Sequence, residues 1–503
     1  MWLTVPYSQV DALECDTLHV LSLVRSMKNT FAPVNRTPQE VLFLIPDHLE
    51  DYNKDINLIT LTHVCRSWRK IFVSRPSLWA KLNFKNVDKT RVYVERSRSA
   101  PLGISLSPFH DEEALLLAIP YIHRLKALSV YGEPDEILPV LAEHFSRPFP
   151  LLDKLKICFR PNWTSALPGG LFGGDLSSLR ELALMGVITA LPCRDLSNLT
   201  TFELHDVPED KILLTQLLDF FESAPYLRHI QLHYSLPSFS NAPPERVVSL
   251  PHLKDLSINA DQPHSILNHL SIPAGASLHL EFRLNGEYPP IPSYLPESSG
   301  SLHNLSHITA VNLSFDSDNM AMQFSGPSGN LDVFGEWRLE EEQPNVGTSL
   351  IMQSLSKLDI LRTRWLVITL CRYWLYDPAQ ITKSTLYQTL HHMEDLRTLM
   401  LVVCENLPFI HTLNPDKNPF KTVLCPRLEE IVLYIEDRDL LHVDELTKMA
   451  EERALRGAKL PAITIVDIDA FVPKKEVSRL RKHVSRVEYR LDDALPEWDT
   501  LPG

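Results

Sequence analysis

The side chains that could act as nucleophiles, general bases or metal ligands are dispersed along the chain. Seven cysteines (Cys15, Cys65, Cys158, Cys193, Cys371, Cys404 and Cys425) are odd in number and widely spaced, and no C-x-x-C joins two of them. That usage argues against a disulfide framework or a zinc site and points to reduced, buried thiols. His391-His392 followed by Glu394 brings ligand types together, but adjacent residues of a helix face different ways. Neither H-E-x-x-H nor G-x-S-x-G occurs. Gly169-Gly170 and Gly173-Gly174 would suit a phosphate cradle only with a following Lys-Ser/Thr and a strand-turn-helix frame. Both are missing, so a turn is expected there. No catalytic set, metal or cofactor is implied, and the chain is read as a non-enzyme whose chemistry is that of surfaces.

Those surfaces must be built by two kinds of element. The first lies in 37–84. Thr37-Pro38-Gln39-Glu40 has the form of a helix start, with a Thr cap, a proline at the first helical position and an acid in the first turn. Val41, Leu42 and Ile45 give that helix an apolar face, and Pro46 should end it. A second helix is expected from Asp55, a suitable cap. Leu58, Leu61, Val64, Cys65, Trp68 and Ile71 form its stripe, and Arg66, Arg69 and Lys70 sit off the stripe, late in the helix. Arg75-Pro76-Ser77 breaks it before Leu78 and Trp79. So small a helical unit buries little surface and needs something to pack on.

The second kind begins near residue 120, where L-x-x-L-x-L recurs with conservative swaps. It starts at Leu125, Leu152, Leu179, Leu199, Leu227 and Leu253, then at Ile308, Leu396, Leu428 and Leu460. The first five steps are 27, 27, 20, 28 and 26 residues, within the roughly 20–29 residues of leucine-rich repeats. Each unit is expected to supply a short strand whose leucines point inwards and stack on those of its neighbours. Return helices are expected at Ile212–Phe221, ended by Ala224-Pro225, and at Leu386–Met393. Residues 285–300 and 316–348 are rich in Pro, Gly, Ser, Asp and Asn and read as insertions, the second as either a degenerate repeat or a binding loop. The basic stretch 473–486 reads as a solvated capping helix rather than a nuclear-import signal.

Composition bounds the function. Of 503 residues, 44% are hydrophobic and 22% charged, which suits a soluble globular chain, and the formal charge of −14 opposes general nucleic-acid binding. No apolar run approaches the ~18 residues of a membrane span. Leu18–Val24 is apolar, but Asp11, Glu14 and Asp16 precede it where an export signal wants positive charge, so it reads as part of a short helix. Sequons at Asn35, Asn162, Asn198, Asn304 and Asn312 are then read as chance. A cytoplasmic or nuclear location, or both, is expected.

Residues 37–84 resemble an F-box. Thr37-Pro38-Gln39-Glu40-Val41-Leu42 is similar to the opening Leu-Pro-x-Glu-Ile-Leu, Val64-Cys65-Arg66-Ser67-Trp68-Arg69 to Val-Cys-x-x-Trp-Arg, and Pro76-Ser77-Leu78-Trp79 to the closing Pro-x-Leu-Trp. Val94-Glu95-Arg96-Ser97-Arg98-Ser99-Ala100-Pro101-Leu102 resembles a segment that follows the F-box in many basidiomycete fungal proteins. Thr37 stands where the family has Leu, and Pro46 where it has a helical aromatic. The resemblance implies a substrate-recognition subunit of a ubiquitin ligase. It would join a Skp-type adaptor, and through it a cullin, by Pro38, Val41, Leu42, Ile45, Leu58, Leu61, Val64, Cys65 and Trp68, with internal packing the competing role, above all for Trp68 and Trp79. The repeat face would recruit an unknown protein substrate. Its outward row is expected to include Glu181, His229 and Asp255, because side chains alternate across a strand. The alternative is a leucine-rich-repeat scaffold with no ligase role.

The expected fold is thus an α/β solenoid, with a small all-α F-box module followed by an irregular leucine-rich-repeat horseshoe. The expected divisions are an N-terminal segment at 1–36, the helical module at 37–84, a connector at 85–119, the repeats at 120–490 and a tail at 491–503.

Overall fold

The computed structural model describes residues 7–48, 54–108, 110–160, 163–188, 196–208, 211, 213–234, 245–260, 263–284, 295, 302–315, 319–337, 355, 360–370, 383–403, 406–435, 441–467 and 478–491. The chain forms two compact units. One comprises Met1–Arg160 and Pro168–Ser178, the other Pro161–Leu167 and Leu179–Gly503.

The first unit opens with helix α1 (Tyr7–Phe31), which has no buried residue and is much longer than the short helix expected around Leu18–Val24. The next helix, α2, is a single turn at Gln39–Leu42 capped by Pro38 rather than Thr37, and a 3₁₀ turn at Ile45–His48 contains Pro46. The long apolar stripe is not one helix. It divides into α3 (Lys54–His63) and α4 (Arg66–Val73), broken at Val64 and Cys65. The break falls at the one place where the stripe advances by a single residue. Cys65 there has extended backbone (φ −159°, ψ 170°), and its Sγ accepts from the Trp68 amide at 3.5 Å, so it caps α4.

Residues 85–119, expected as a connector, carry regular structure. Helix α5 (Val87–Ser97) is capped by Asn86, and helix α6 (Glu112–Ala118) by Asp111. Between them lies strand β2 (Leu102–Leu106), which pairs in parallel with the short β1 (Lys81–Leu82) on one side and β3 (Leu125–Gly132) on the other. Strand β4 (Lys154–Phe159) continues the ladder. Buried Arg124 holds the turn between α5 and β2 by donating to the carbonyls of Arg98 and Ala100 and to Ser97 Oγ. The glycine pairs frame a 3₁₀ turn at Leu171–Gly174, not a cradle.

The second unit is a long, mostly parallel ladder. Strands β5 (Glu181–Met185), β6 (Thr201–His205), β7 (His229–His233), β9 (Asp255–Asn259) and β11 (Ser277–Leu284) pair in that order, while β8 (Val248–Ser249) and β10 (Leu270–Ser271) form a separate pair. The far end runs β15 (Trp365–Leu370), β16 (Thr398–Val403), β17 (Glu430–Ile435), β18 (Ala462–Asp467) and β19 (Arg486–Leu491), all parallel. Of the stretch 473–486 expected as a capping helix, residues 478–480 are helical and β19 begins at its last residue, Arg486; residues 473–477 lie outside the described residues.

Between the two stretches sits the main departure from expectation. The segment read as an insertion at 316–348 contains two long strands, and its residues 316–318 and 338–348, like nearly all of 285–300, lie outside the described residues. Strand β12 (Ala310–Phe315) turns back as β13 (Asn319–Gly326) and again as β14 (Gly329–Trp337), both contacts antiparallel. The meander enters the sheet in reverse. Its last strand β14 lies parallel beside β11, and its first strand β12 lies parallel beside β15. Pro327 and Ser328 make the two-residue turn between the paired Gly326 and Gly329. Gly329 has φ +133°, and a Cβ there would stand 2.4 Å from the Ala276 carbonyl oxygen, so only glycine fits.

Every leucine-type position of the ten sequence units, from Leu125 to Ile465, is buried. Helices cover that face in part. α8, the helix expected near 212–221, spans Leu214–Ser223 and packs Phe220 on Phe202 with ring centroids 4.3 Å apart. The later α11 (Lys383–His391), α12 (Leu407–Leu413) and α13 (Val443–Leu455) follow β15, β16 and β17 and form two successive packed pairs; α9 (His264–Leu267) and the 3₁₀ turn at His303–Leu305 are single turns. An N-terminal helical region followed by a large, parallel-rich sheet is consistent with a solenoid-like fold.

Candidate functional site

The module around α2–α4 has a core of its own. Leu42, Trp68 and Phe72 are buried together, with Ile45, Leu61, Cys65, Ile71 and Leu78 packed against them. Trp68 meets Phe72 edge-on at 5.6 Å and donates its indole N–H to Asn35 Oδ1 at 2.8 Å. Arg75 ties the two ends of the module, donating to the Phe43 carbonyl at 2.9 Å while its guanidinium lies 4.6 Å from the Phe43 ring centre. Trp79 is fully buried, donates to the Phe72 carbonyl at 3.0 Å, and meets Tyr93 of α5 edge-on with Arg96 stacked on it.

This packing divides the nine expected adaptor contacts. Leu42, Leu58 and Trp68 are buried in the chain itself, so a small unit expected to lack a core spends its largest aromatic on making one. Ile45, Leu61 and Cys65 are half-buried against that core. Pro38, Val41 and Val64 are exposed. Two further exposed apolar side chains of the module, Leu44 and Ile59, were not singled out by the sequence, because they lie off the stripe.

The family model described as F-box-like matches residues 35–85. These residues are an F-box-like domain. The matched stretch opens at Asn35, which receives the Trp68 indole, and ends just after β1, so it spans the whole packed module through Trp79. No curated protein matches the chain. A solved protein of Bacteroides fragilis, a structural-genomics target, aligns over 75% of this chain and 78% of its own at 10% identity and a TM-score of 0.19, a likeness too low to carry an argument.

Beyond the F-box-like domain, the second unit offers an open sheet face. Glu181, Thr201, His229 and Asp255 stand in register on β5, β6, β7 and β9, so the three expected row residues do share one cross-strand row. His229 Nδ1 and Asp255 Oδ2 are 2.7 Å apart, and both side chains are about half exposed. The next row holds Glu203, Gln231, Ser257 and His279, with the His279–Asp332 pair closing at 2.9 Å on β14. The hydrogen bond to Asp332 raises the His279 pKa, opposed by burial. The same face changes character farther on, where Val402, Val432, Tyr434 and Val466 form a buried apolar cluster with Met400 against it. Charged, accessible side chains return at the far end of that face, where Glu430, Arg486, Glu488 and Arg490 pair with one another.

Among the described residues no group of three or more His, Cys, Asp or Glu is placed to hold a metal ion, and no helix is long and apolar enough to cross a membrane. Two sequon asparagines, Asn304 and Asn312, are buried, which leaves no room for a glycan on either.

Proposed function

We propose that this protein is a substrate-recognition subunit of a Skp-cullin-F-box type ubiquitin ligase, acting in the cytoplasm, the nucleus or both. The F-box-like domain docks on a Skp-type adaptor, which links it to a cullin. The chain is read as an F-box protein of the basidiomycete fungal type, and its parallel ladder, read as irregular leucine-rich repeats, captures a protein substrate on its open face through a row that includes Glu181, His229 and Asp255. The protein performs no bond chemistry. It raises the effective concentration of a substrate lysine near the charged conjugating enzyme.

The observation that carries this reading is the F-box-like match at 35–85 in a chain whose remainder is a long parallel sheet with a polar face. Co-purification of the full chain with a Skp-type adaptor and a cullin tests it, with a Val41→Asp, Val64→Asp double variant as the comparison. A folded wild-type chain that retains neither partner leaves the second reading, a scaffold without a ligase role. Burial of Leu42, Leu58 and Trp68 favours that second reading, because those side chains are spent on internal packing.

A further inference from the structure

The meander that reverses strand order also creates a pocket, of about 330 Å³, on the open face of the second unit. That volume is at the small end of ligand sites and suits one side chain. The pocket spans four strands. Asp332 and Asn330 come from β14, Gln323 and Ser325 from β13, Asn312 from β12 and Trp365 from β15. Two registered rows run through it, Asn330–Ser325–Ala310–Trp365 and Asp332–Gln323–Asn312–Val367. Ala310 and Asn312 are the floor between an aromatic wall and an acidic wall.

The floor is polar and incomplete. Asn312 is only 4% exposed; its Nδ2 donates to Gln323 Oε1 at 3.2 Å, and its Oδ1 has no hydrogen-bond partner. A buried acceptor without a partner is costly, and that of Asn312 lies in the floor of this pocket. Rotating both amides would keep their mutual bond and expose the other end of Asn312, but Asp332 is an acceptor in either case and sets the polarity. His279 engages one Asp332 oxygen. Among the described lining residues none is Lys, Arg or His, and the charged one is Asp332.

We infer that this pocket seats an arginine side chain of the captured protein. Arginine matches all three features at once. Its planar guanidinium can stack on Trp365, its fork of donors can reach the Asp332 carboxylate, and its charge is opposite to that of Asp332. A lysine ammonium lacks the plane, and a neutral amide lacks the charge. The inference rests on the proposed role of this face as the capture surface and adds the chemistry of what it captures.

The test uses the full chain and three blocked pentapeptides, Gly-Gly-Xaa-Gly-Gly with arginine, lysine or citrulline at the centre, titrated by ligand-observed NMR. Citrulline keeps the shape of arginine and removes its charge. The arginine peptide is expected to bind at least tenfold tighter than the citrulline peptide and severalfold tighter than the lysine peptide. Asp332→Asn, a shape-preserving change at a partly exposed site, should remove at least tenfold of the arginine affinity, and Trp365→Leu a similar factor, each with a cooperative thermal unfolding transition retained. Absence of arginine binding, citrulline or lysine binding within twofold of arginine, or an Asp332→Asn variant with wild-type affinity overturns the inference. Adaptor capture by residues 35–85 is measured on the same preparations. Peptide failure with adaptor bound sinks the pocket alone, while adaptor failure with peptide bound sinks the ligase reading alone.

Discussion

Val41 and Val64 give the sharpest separation of docking from folding in the F-box-like domain. They are 50% and 52% exposed, whereas their neighbours in the family pattern, Leu42 and Trp68, are buried. Valine→alanine removes two methylene equivalents, about 1.6 kcal/mol if they pass fully from water to an apolar surface. Half of each side chain is already covered, so docking should gain about 0.8 kcal/mol from each residue, and the Val41→Ala, Val64→Ala double variant should lose about 1.6 kcal/mol of binding. That is roughly a fifteenfold rise in Kd. Leu42→Ala, by contrast, should cost folding about 2–5 kcal/mol as a core truncation. Isothermal titration against a Skp-type adaptor, with thermal unfolding of each variant, separates the two effects. A double variant that binds as tightly as wild type would refute the placement of these valines on the docking face.

Arg453, fully buried on α13, donates to the Leu424 and Cys425 carbonyls at 2.7 and 2.9 Å; Arg453→Met strands both acceptors and should cost about 2–4 kcal/mol by denaturant unfolding, after relief of the buried charge. Lys417 and then Lys448 hold the Glu445 carboxyl down at about 2, against an ordinary 4.5. Because the folded pKa is the lower one, this stabilisation is present above the ordinary value and is lost as the pH falls through about 2. Glu445→Gln should therefore narrow the drop in melting temperature between pH 5 and pH 2.5, and an unchanged drop would show that the cluster is not coupled to folding. Burial pushes the Cys425 thiol up to about 12, whereas Cys15 is exposed. Iodoacetamide at pH 8 should label Cys15 in the native protein and Cys425 only on unfolding, as read by peptide mass mapping.

The leucine positions were legible because burial on a repeated strand demands the same residue type at the same spacing; one unit alone is a weak signal, and the count and period of the ten from Leu125 to Ile465 carried it. Strands β2, β11, β15 and β19 depart from that template and escaped it, although Leu102, Ile104 and Leu106 alternate as a strand should. The meander carried a different signal. Met320, Met322 and Phe324 alternate, then Leu331 and Val333 follow across Gly326-Pro327-Ser328-Gly329. A period of two around a glycine turn is a hairpin, but the polar composition masked it. The break at Cys65 was visible only as a one-residue step. The pocket had no linear signature at all, since residues 312, 323, 332 and 365 meet through a reversed strand order that no single segment encodes.

In a stacked array each strand is steadied by the two beside it, so cooperativity travels as a relay. Among the described residues, strand β11 reaches β15 in the hydrogen-bonded ladder by way of β14, β13 and β12. The meander is thus a fuse in that relay. If its turn at Gly329 were strained by a side chain, the strands before it and after it would lose their common ladder, and a single unfolding transition would resolve into two. Partner capture in the pocket that the meander lines would then act as a clamp on the same junction, coupling occupancy of one side-chain site to the mechanical unity of the whole sheet.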